Sequence, residues 1–182
     1  MYHYDPLVLG FVLNLEFQFL ERSKAQLVEV VRRIESDDRG YIYHPNNLKI
    51  LQHSGPVVAS ISNYQHPKDF DLEIAIKQTV LSMATQDQDA KKYVFVILDQ
   101  YEQESYGVKQ ALNLDVKMDC GCVFTFLGIG NRYNPELSHV EEWHPRCTFV
   151  SLNNPELLAE KIIAIAKVRE VNLLWKKQLK AE

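Results

Sequence analysis

The sequence has few cysteines. Three occur among 182 residues, Cys120, Cys122 and Cys147, and their number is odd. Small domains that are held together by disulfides carry more cysteines than this chain and usually an even number, so the cysteine count argues against a disulfide scaffold. A reduced compartment fits better, and we expect a cytoplasmic protein.

An excess of basic charge is also missing. The chain has 20 Lys and Arg residues against 24 Asp and Glu residues, a formal net charge of -4 at pH 7. Nucleic-acid surfaces and docking sites for anionic membranes both need clustered Lys and Arg. We therefore expect neither a nucleic acid nor a membrane as partner.

Long apolar runs and strong catalytic motifs are absent as well. No Lys or Arg precedes the apolar residues 7–13, and Asn14, Glu16 and Gln18 then interrupt the run, unlike a secretory signal. No segment approaches the roughly 20 apolar residues of a membrane span. Residues 128–130 (GIG) lack the third glycine and the Lys-Ser/Thr step of a phosphate loop. We predict no nucleotide and no catalytic residues.

What the sequence does contain is an alternation of strand-like and helix-like segments, long enough for one domain with a full core. Runs that are apolar on both faces predict strands at 7–14, 92–99, 120–129 and 147–152, or a first strand reaching Phe19. Helical spacing predicts helices at 21–35, 71–84, 106–113 and from about 155, with extended pieces at 40–44 and 57–62. This order predicts a three-layer α/β/α domain with a mostly parallel, doubly wound, Rossmann-like sheet.

Polar residues follow several of the predicted strands. In doubly wound sheets, ligands bind outside the carboxyl ends of the strands, near the point where the strand order reverses. The residues that we expect along this edge are Asn14, Glu16, Ser62, Asn63, Asp99, Gln100 and Gly130.

Four segments of the chain resemble a known family. They are an apolar strand that ends in polar steps (NLEFQ, 14–18), a helix (DFDLEIAIKQTVLSM), a strand ending in Asp-Gln (YVFVILDQ) and a strand ending in Gly-x-Gly (VFTFLGIG). In this order, and followed by CTFVSLNNPELLAEKI, they resemble a von Willebrand factor type A (vWA) domain from about Leu7 to Val168. The resemblance implies the vWA topology.

The resemblance also implies a metal-ion-dependent adhesion site, in which a D-x-S-x-S loop, a Thr and an Asp hold Mg²⁺ for a partner's carboxylate. Here Asn14 stands in place of the first Asp, and Glu16 and Gln18 replace the two serines. The Thr position falls near Phe70, between Asp69 and Asp71, and Asp99 alone matches. Bulkier ligands suit a small octahedral shell poorly, so we expect a degenerate site, although these carboxylates could rebuild a cage for Mg²⁺ or Ca²⁺.

Two further clusters allow more than one interpretation. The acidic residues of the edge, which include Glu102 and Glu104, could attract a cation or a basic partner, or could serve as helix caps and solvated loops. Asp99 could also be a lone catalytic carboxylate. A further set of residues has thiol and imidazole side chains that could hold Zn²⁺, although its cysteines could instead be small core residues. The set is Cys120, Cys122, His139, His144 and Cys147.

Two segments carry residue types that are common at protein interfaces. Residues 131–146 include Arg132, Tyr133 and Trp143, although Trp143 could instead cover the core. A last helix from Pro155 to about Lys180 would run about 39 Å and overhang a domain whose strands span about 20 Å. Its apolar stripe past Lys167 predicts a docking surface or self-association, unless the helix bends back or frays: Val171, Leu174, Trp175 and Leu179.

These observations lead to one preferred function and two alternatives. We predict a vWA-like domain at 1–168 and a C-terminal helical extension at 169–182. The preferred function is a non-catalytic protein–protein interaction module without the standard metal site, as a component of a larger assembly. The alternatives are a cation-dependent adhesion domain with remodelled ligands and a small α/β enzyme.

Overall fold

A computed structural model describes residues 7–35, 48–51, 57–86, 88–99 and 105–166 of the chain. They contain one five-stranded sheet in which every strand pairs in parallel with its neighbour, in the order β2-β1-β3-β4-β5. The predicted parallel sheet is confirmed. Its strands are β1 (Leu7–Asn14), β2 (Leu48–Leu51), β3 (Lys91–Leu98), β4 (Val123–Ile129) and β5 (Cys147–Leu152).

Helices connect the strands and cover both faces of the sheet. Successive side chains of a strand point to opposite faces, so Leu9 and Phe11 of β1 enter one core while Val8 and Val12 enter the other. Helices α1 (Phe17–Glu35), α2 (Val57–Ser62) and α5 (158–166) cover the first face. The second face is covered by α3 (Leu72–Ala84), α4 (Ser105–Met118) and a 3-10 helix (Pro135–Glu142). The predicted three-layer α/β/α architecture is confirmed.

The strand order reverses between β1 and β3. From β1 the chain passes to β2 on one side and later crosses to β3 on the other side. Helices that follow β1 and β3 therefore leave in opposite directions and open a crevice at the carboxyl ends of these two strands. The crevice lies directly after Asn14 and Leu98, which are paired in the β1–β3 register.

Several local predictions were wrong. The alternative in which the first strand reaches Phe19 fails, because α1 already begins at Phe17, one turn before the predicted start at Glu21. The apolar run at 57–62 forms helix α2 instead of an extended piece. A run of six residues is too short for its period to separate helix from strand, and the packing of Ile61 in the core decides.

Helices α3 and α5 begin in different ways. Asp71 caps α3 as expected, since its Oδ1 accepts a hydrogen bond from the Ile74 backbone N–H at 3.1 Å. Asn154 holds the N-cap position of the 3-10 turn that leads into α5, but its side chain makes no capping hydrogen bond. The backbone N–H of Ala159 is instead bonded by Gln26 of α1, with 3.1 Å between Ala159 N and Gln26 Oε1.

The C-terminal extension lies outside the described residues. This holds for the predicted boundary at 168/169, for the extended piece at 40–44, and for the stripe of Val171, Leu174, Trp175 and Leu179. These remain predictions. In the part of the chain that the structure describes, no helix combines the length and the apolar composition needed to cross a membrane.

Candidate functional site

The loop that follows β1 is bonded to the end of β3. Asp99 Oδ1 accepts a hydrogen bond from the backbone N–H of Glu16 at 2.8 Å, across 83 residues of sequence. The backbone N–H of Asp99 donates in turn to the carbonyl of Asn14 at 3.2 Å. Parallel pairing of β1 with β3 brings the two strand ends together, so the crevice is closed by direct hydrogen bonds at its base.

A third loop, between α2 and α3, packs against the end of β1. The hydroxyl of Tyr64 donates to the carbonyl of Leu13 at 2.8 Å, and His66 Nε2 lies 2.8 Å from Asn14 Oδ1. An amide oxygen only accepts, so Nε2 carries the hydrogen in this pair. The ring of His66 lies 5.3 Å from the ring of Phe70. We call residues 13–16, 64–70 and 99 the switch-point edge.

Asp99 is the buried charge of the switch-point edge. The residue is 4% exposed, and the Glu16 N–H is the one donor that another described residue supplies to its carboxylate. Burial raises the pKa of Asp99 to about 6, and the charge of Glu16 adds to the effect, while the Glu16 N–H and Arg132 oppose it. Burial and the nearby charge of Asp99 raise the pKa of Tyr64 to about 12.

A second buried aspartate, Asp115 of α4, has a different environment. Its carboxylate accepts from the Cys122 N–H (3.2 Å), from His144 Nε2 (2.8 Å) and from the Arg146 guanidinium (3.3 Å). His144 Nδ1 accepts from the Arg146 backbone N–H at 2.9 Å, which places the ring hydrogen on Nε2. Burial alone would raise the pKa of Asp115, but the hydrogen bonds from His144 and Cys122 hold it below its ordinary value.

Four of the five predicted zinc ligands belong to this internal network or to the core, and the fifth, His139, is exposed on the 3-10 helix with its Nδ1 3.8 Å from Glu142 Oε1. Both ring nitrogens of His144 are hydrogen-bonded, and the thiol of Cys120 lies 3.9 Å from the Val80 carbonyl oxygen. All three cysteines are free and buried, and burial raises the pKa of the Cys122 and Cys147 thiols. They fit the alternative interpretation of small core residues.

Comparison with solved structures identifies the fold. A von Willebrand factor type A protein from Catenulispora acidiphila superposes with a TM-score of 0.64 at 11% identity, over 89% of this chain and 42% of the other. Proximal thread matrix protein 1 from the mussel byssus gives 0.63 at 11% identity, over 89% and 45%. The chain has a vWA fold. The resemblance seen in the sequence is thereby confirmed for the architecture.

The vWA assignment concerns the fold and not the activity. A further structure of the mussel protein, with a zinc-occupied metal-ion-dependent adhesion site, has a TM-score of 0.58 at 10% identity and covers 89% and 47% of the two chains. The present chain thus spans less than half the length of these chains. Neither the protein-family models nor the curated protein sequences gave a match.

The residues at the vWA metal positions meet only in part. Asn14, Glu16 and Asp99 are joined by hydrogen bonds at the base of the crevice. The other positions stand apart from them: Gln18 is exposed on the first turn of α1, Asp69 is exposed on a turn, and Asp71 caps α3. In the described ranges, no group of three or more His, Cys, Asp or Glu side chains could hold a metal ion. Mg²⁺ usually keeps several waters and takes only one or two carboxylates, so the degenerate site stays a prediction.

The structure describes all three of the predicted partner-binding residues at 131–146. Arg132 is exposed, and Tyr133 follows β4, where its hydroxyl lies 2.9 Å from Ser151 Oγ near the end of β5. Trp143 follows the 3-10 helix directly, with the Lys109 ammonium of α4 4.9 Å from its ring centroid. Their role in partner binding stays a prediction.

Sequence reasoning missed Tyr64 and His66. Both act across more than fifty residues of sequence, on a strand end whose position only the fold defines. Tyr64 and His66 also lie in an irregular loop, where no periodic pattern marks a residue. Their neighbour Asn63 was the nearest residue that the sequence placed at this edge.

Proposed function

We propose that this chain is a non-catalytic protein-interaction module that binds its partner through the switch-point edge, without the metal ion of the standard vWA site. The partner is another protein or a second copy of the chain, within a larger assembly. The edge lies where ligands of doubly wound sheets bind. Arg132 and Tyr133, at the same end of the sheet, extend the proposed surface.

The observation that carries the proposal is the direct bonding of the three loops to one another. Four hydrogen bonds within the chain join these loops: Glu16 N–H to Asp99, Asp99 N–H to Asn14, Tyr64 to Leu13 and His66 to Asn14. Such loops keep their positions without an ion between them. A surface that is ordered before binding loses less conformational entropy when a partner docks, which favours affinity.

Native mass spectrometry of the full chain purified from its own host tests the proposal. We expect a complex with a protein partner or a second copy that survives EDTA. Glu16→Arg should disrupt that complex, because it places a bulky opposite charge on the edge. The matched change Glu141→Arg, at an exposed carboxylate of the 3-10 helix, should leave it intact.

Two results would contradict this function. One is a monomeric chain that copurifies with no protein. The other is a complex that responds equally to Glu16→Arg and Glu141→Arg, since the contact surface would then lie elsewhere. Loss of the complex in EDTA and recovery with Mg²⁺ would instead support the second candidate below.

The second candidate is a cation-dependent adhesion domain with remodelled ligands. Asp99 favours it, because this buried carboxylate keeps an oxygen without a protein partner in the described residues. A mussel protein of the same fold has been solved with zinc in its adhesion site. Calorimetric titration with Mg²⁺, Mn²⁺, Ca²⁺ and Zn²⁺ separates the candidates: binding that disappears in Asp99→Ala supports the second one.

A further inference from the structure

Asp99 and Asp115 are the two buried carboxylates of the described chain, and they differ in how completely they are bonded. Both oxygens of Asp115 accept hydrogen bonds, and the Arg146 guanidinium is one of the three donors. Asp99 accepts one hydrogen bond, on Oδ1, from the Glu16 N–H. An ionised carboxylate has about four acceptor positions, so the other described residues take up only a small part of the hydrogen-bonding capacity of Asp99.

Asp99 also lacks a countercharge in contact with it. Arg132 acts on Asp99 electrostatically, but the described residues contain no ion pair to Asp99. The carboxylate of Glu16, next to it, adds charge of the same sign. Buried charges in folded proteins are normally paired, because an isolated charge away from water is costly. Asp99 is therefore a carboxylate for which the described residues provide no ion-pair partner.

The position of Asp99 in the fold is one where an outside ligand could supply the missing partner. Asp99 follows β3 directly and bonds the loop that follows β1, so it lies in the crevice where the strand order reverses. Glu16 is exposed beside it. By contrast, Asp115 lies inside the fold, where His144 and Arg146 already donate to it and Arg146 supplies a positive charge.

We propose that the switch-point edge receives the guanidinium or ammonium group of an Arg or Lys side chain from the protein partner, on Asp99 Oδ2 and the Glu16 carboxylate. The inference rests on the proposed function, and it names the chemistry of the partner. The contact has the opposite polarity to a metal site, where the partner supplies a carboxylate.

The described ligand set suits an organic cation better than a metal ion. Mg²⁺ prefers small oxygen ligands in a near-octahedral shell at about 2.1 Å, whereas the described residues offer the buried Asp99 and the longer side chain of Glu16 here, and no group of three or more His, Cys, Asp or Glu side chains. A guanidinium needs fewer acceptors, because its five N–H donors in a planar fork can satisfy one or two carboxylates. Arginine is also less strongly hydrated than lysine, so we expect it to be the preferred side chain.

An NMR titration of the full chain labelled with ¹⁵N tests the inference. The probes are Nα-acetyl-arginine methylamide and its uncharged isostere, Nα-acetyl-citrulline methylamide. We expect the backbone amide signals of Glu16 and Asp99 to shift saturably with the arginine probe alone. Asp99→Asn should weaken this binding by about tenfold or more, since the amide still accepts from Glu16 N–H but carries no charge.

Two further variants keep the test independent of any folding defect. Glu16→Gln changes an exposed side chain and should weaken binding of the arginine probe by a smaller factor. Asp119→Asn makes the same chemical change as Asp99→Asn at an exposed residue after α4, and should leave the binding unchanged. The amide spectrum of each variant reports whether it is folded.

Three outcomes would overturn the inference. Equal shifts with the arginine and citrulline probes would show that charge is not recognised, and unshifted Glu16 and Asp99 amides would show that the crevice is not the site. A divalent ion, added as MgCl₂ or CaCl₂, that shifts the same amides and displaces the arginine probe would assign the edge to a metal. If the probe fails while Glu16→Arg still disrupts the native complex, only the cation recognition is wrong and the interaction function stands.

Discussion

At the level of single residues, the two buried aspartates show how burial and hydrogen bonding shift the pKa of a carboxylate in opposite directions. At Asp99 the cost of burial outweighs one backbone hydrogen bond, and the pKa rises to about 6. At Asp115 the hydrogen bonds from His144 and Cys122 outweigh the cost of burial, and the pKa falls. One carboxylate therefore destabilises the fold at neutral pH while the other supports it, which makes Asp99 the stronger candidate for a binding role.

We predict that Asp99→Asn stabilises the chain at pH 7.5. The folded state holds the Asp99 proton up to about pH 6, whereas the ordinary pKa is 3.8, so stability is lost as the pH rises through this window. The pKa separation corresponds to at most about 3 kcal/mol. Urea unfolding should show a gain of about 1–3 kcal/mol at pH 7.5 that shrinks below about 1 kcal/mol at pH 4. A variant less stable than the parent at pH 7.5 would contradict this.

The opposite effect is expected for Asp115→Ala. Removing this carboxylate leaves the buried donors of Cys122 and His144 without an acceptor, and we expect a loss of about 3–5 kcal/mol in urea unfolding at pH 7. The contribution should be complete above the ordinary pKa range and disappear as the pH falls below it, because the folded pKa is lowered. The exposed control Glu141→Ala should change stability by less than about 0.5 kcal/mol. Equal losses in the two variants would refute the network's role.

At the scale of elements, the turn after β4 shows how a helix and a strand end constrain each other. Gly130 has φ of +74°, and its backbone N–H donates to the Leu152 carbonyl at 2.9 Å, which ties the end of β4 to β5. A Cβ at this position would lie 3.2 Å from the ring of Phe19 on α1. The glycine thus serves both the turn and the close approach of α1.

Gly130→Ala should destabilise the chain more than the matched change Gly121→Ala. Both glycines have φ of +74°, so both variants suffer the left-handed strain of about 1–2 kcal/mol. Among the residues that the structure describes, Phe19 lies within reach of a methyl group added at Gly130, whereas none lies within 4 Å of a Cβ on Gly121. We expect about 1 kcal/mol of additional loss for Gly130→Ala in thermal or urea unfolding. Equal losses would mean that Phe19 moves aside freely.

At the scale of the whole molecule, Ala166 of α5 is buried in the core on the first face of the sheet. The apolar stripe predicted at residues 168–179 lies outside the described residues. Truncation tests its predicted role in docking.

A chain that ends after Lys167 should keep its free energy of unfolding within about 1 kcal/mol and should change its oligomeric state or its capture of a partner. Size-exclusion chromatography and native mass spectrometry provide the measurement. The full-length double variant Leu174→Asp with Trp175→Asp should behave like the truncation, since charges on an apolar stripe oppose docking. Unchanged elution and unchanged partner capture would remove the extension from the proposed interface.

The layers of this protein and the edge that carries its candidate site can be predicted from the order of its residues alone. Runs apolar on both faces, separated by helical spacing, require a sheet buried between helices, and the polar residues Asn14 and Asp99 mark where strands end. Those signals are local and periodic, so a single chain displays them.

Which of the polar groups meet, and how far each is buried, depends on the folded arrangement of distant elements. The bonds from Tyr64 to Leu13, from His66 to Asn14 and from Glu16 N–H to Asp99 join residues 51 to 83 positions apart. The different environments of Asp99 and Asp115 arise in the same way, because neighbours from distant elements set desolvation and hydrogen bonding. No local pattern encodes such neighbours, since they exist only after the sheet has been assembled.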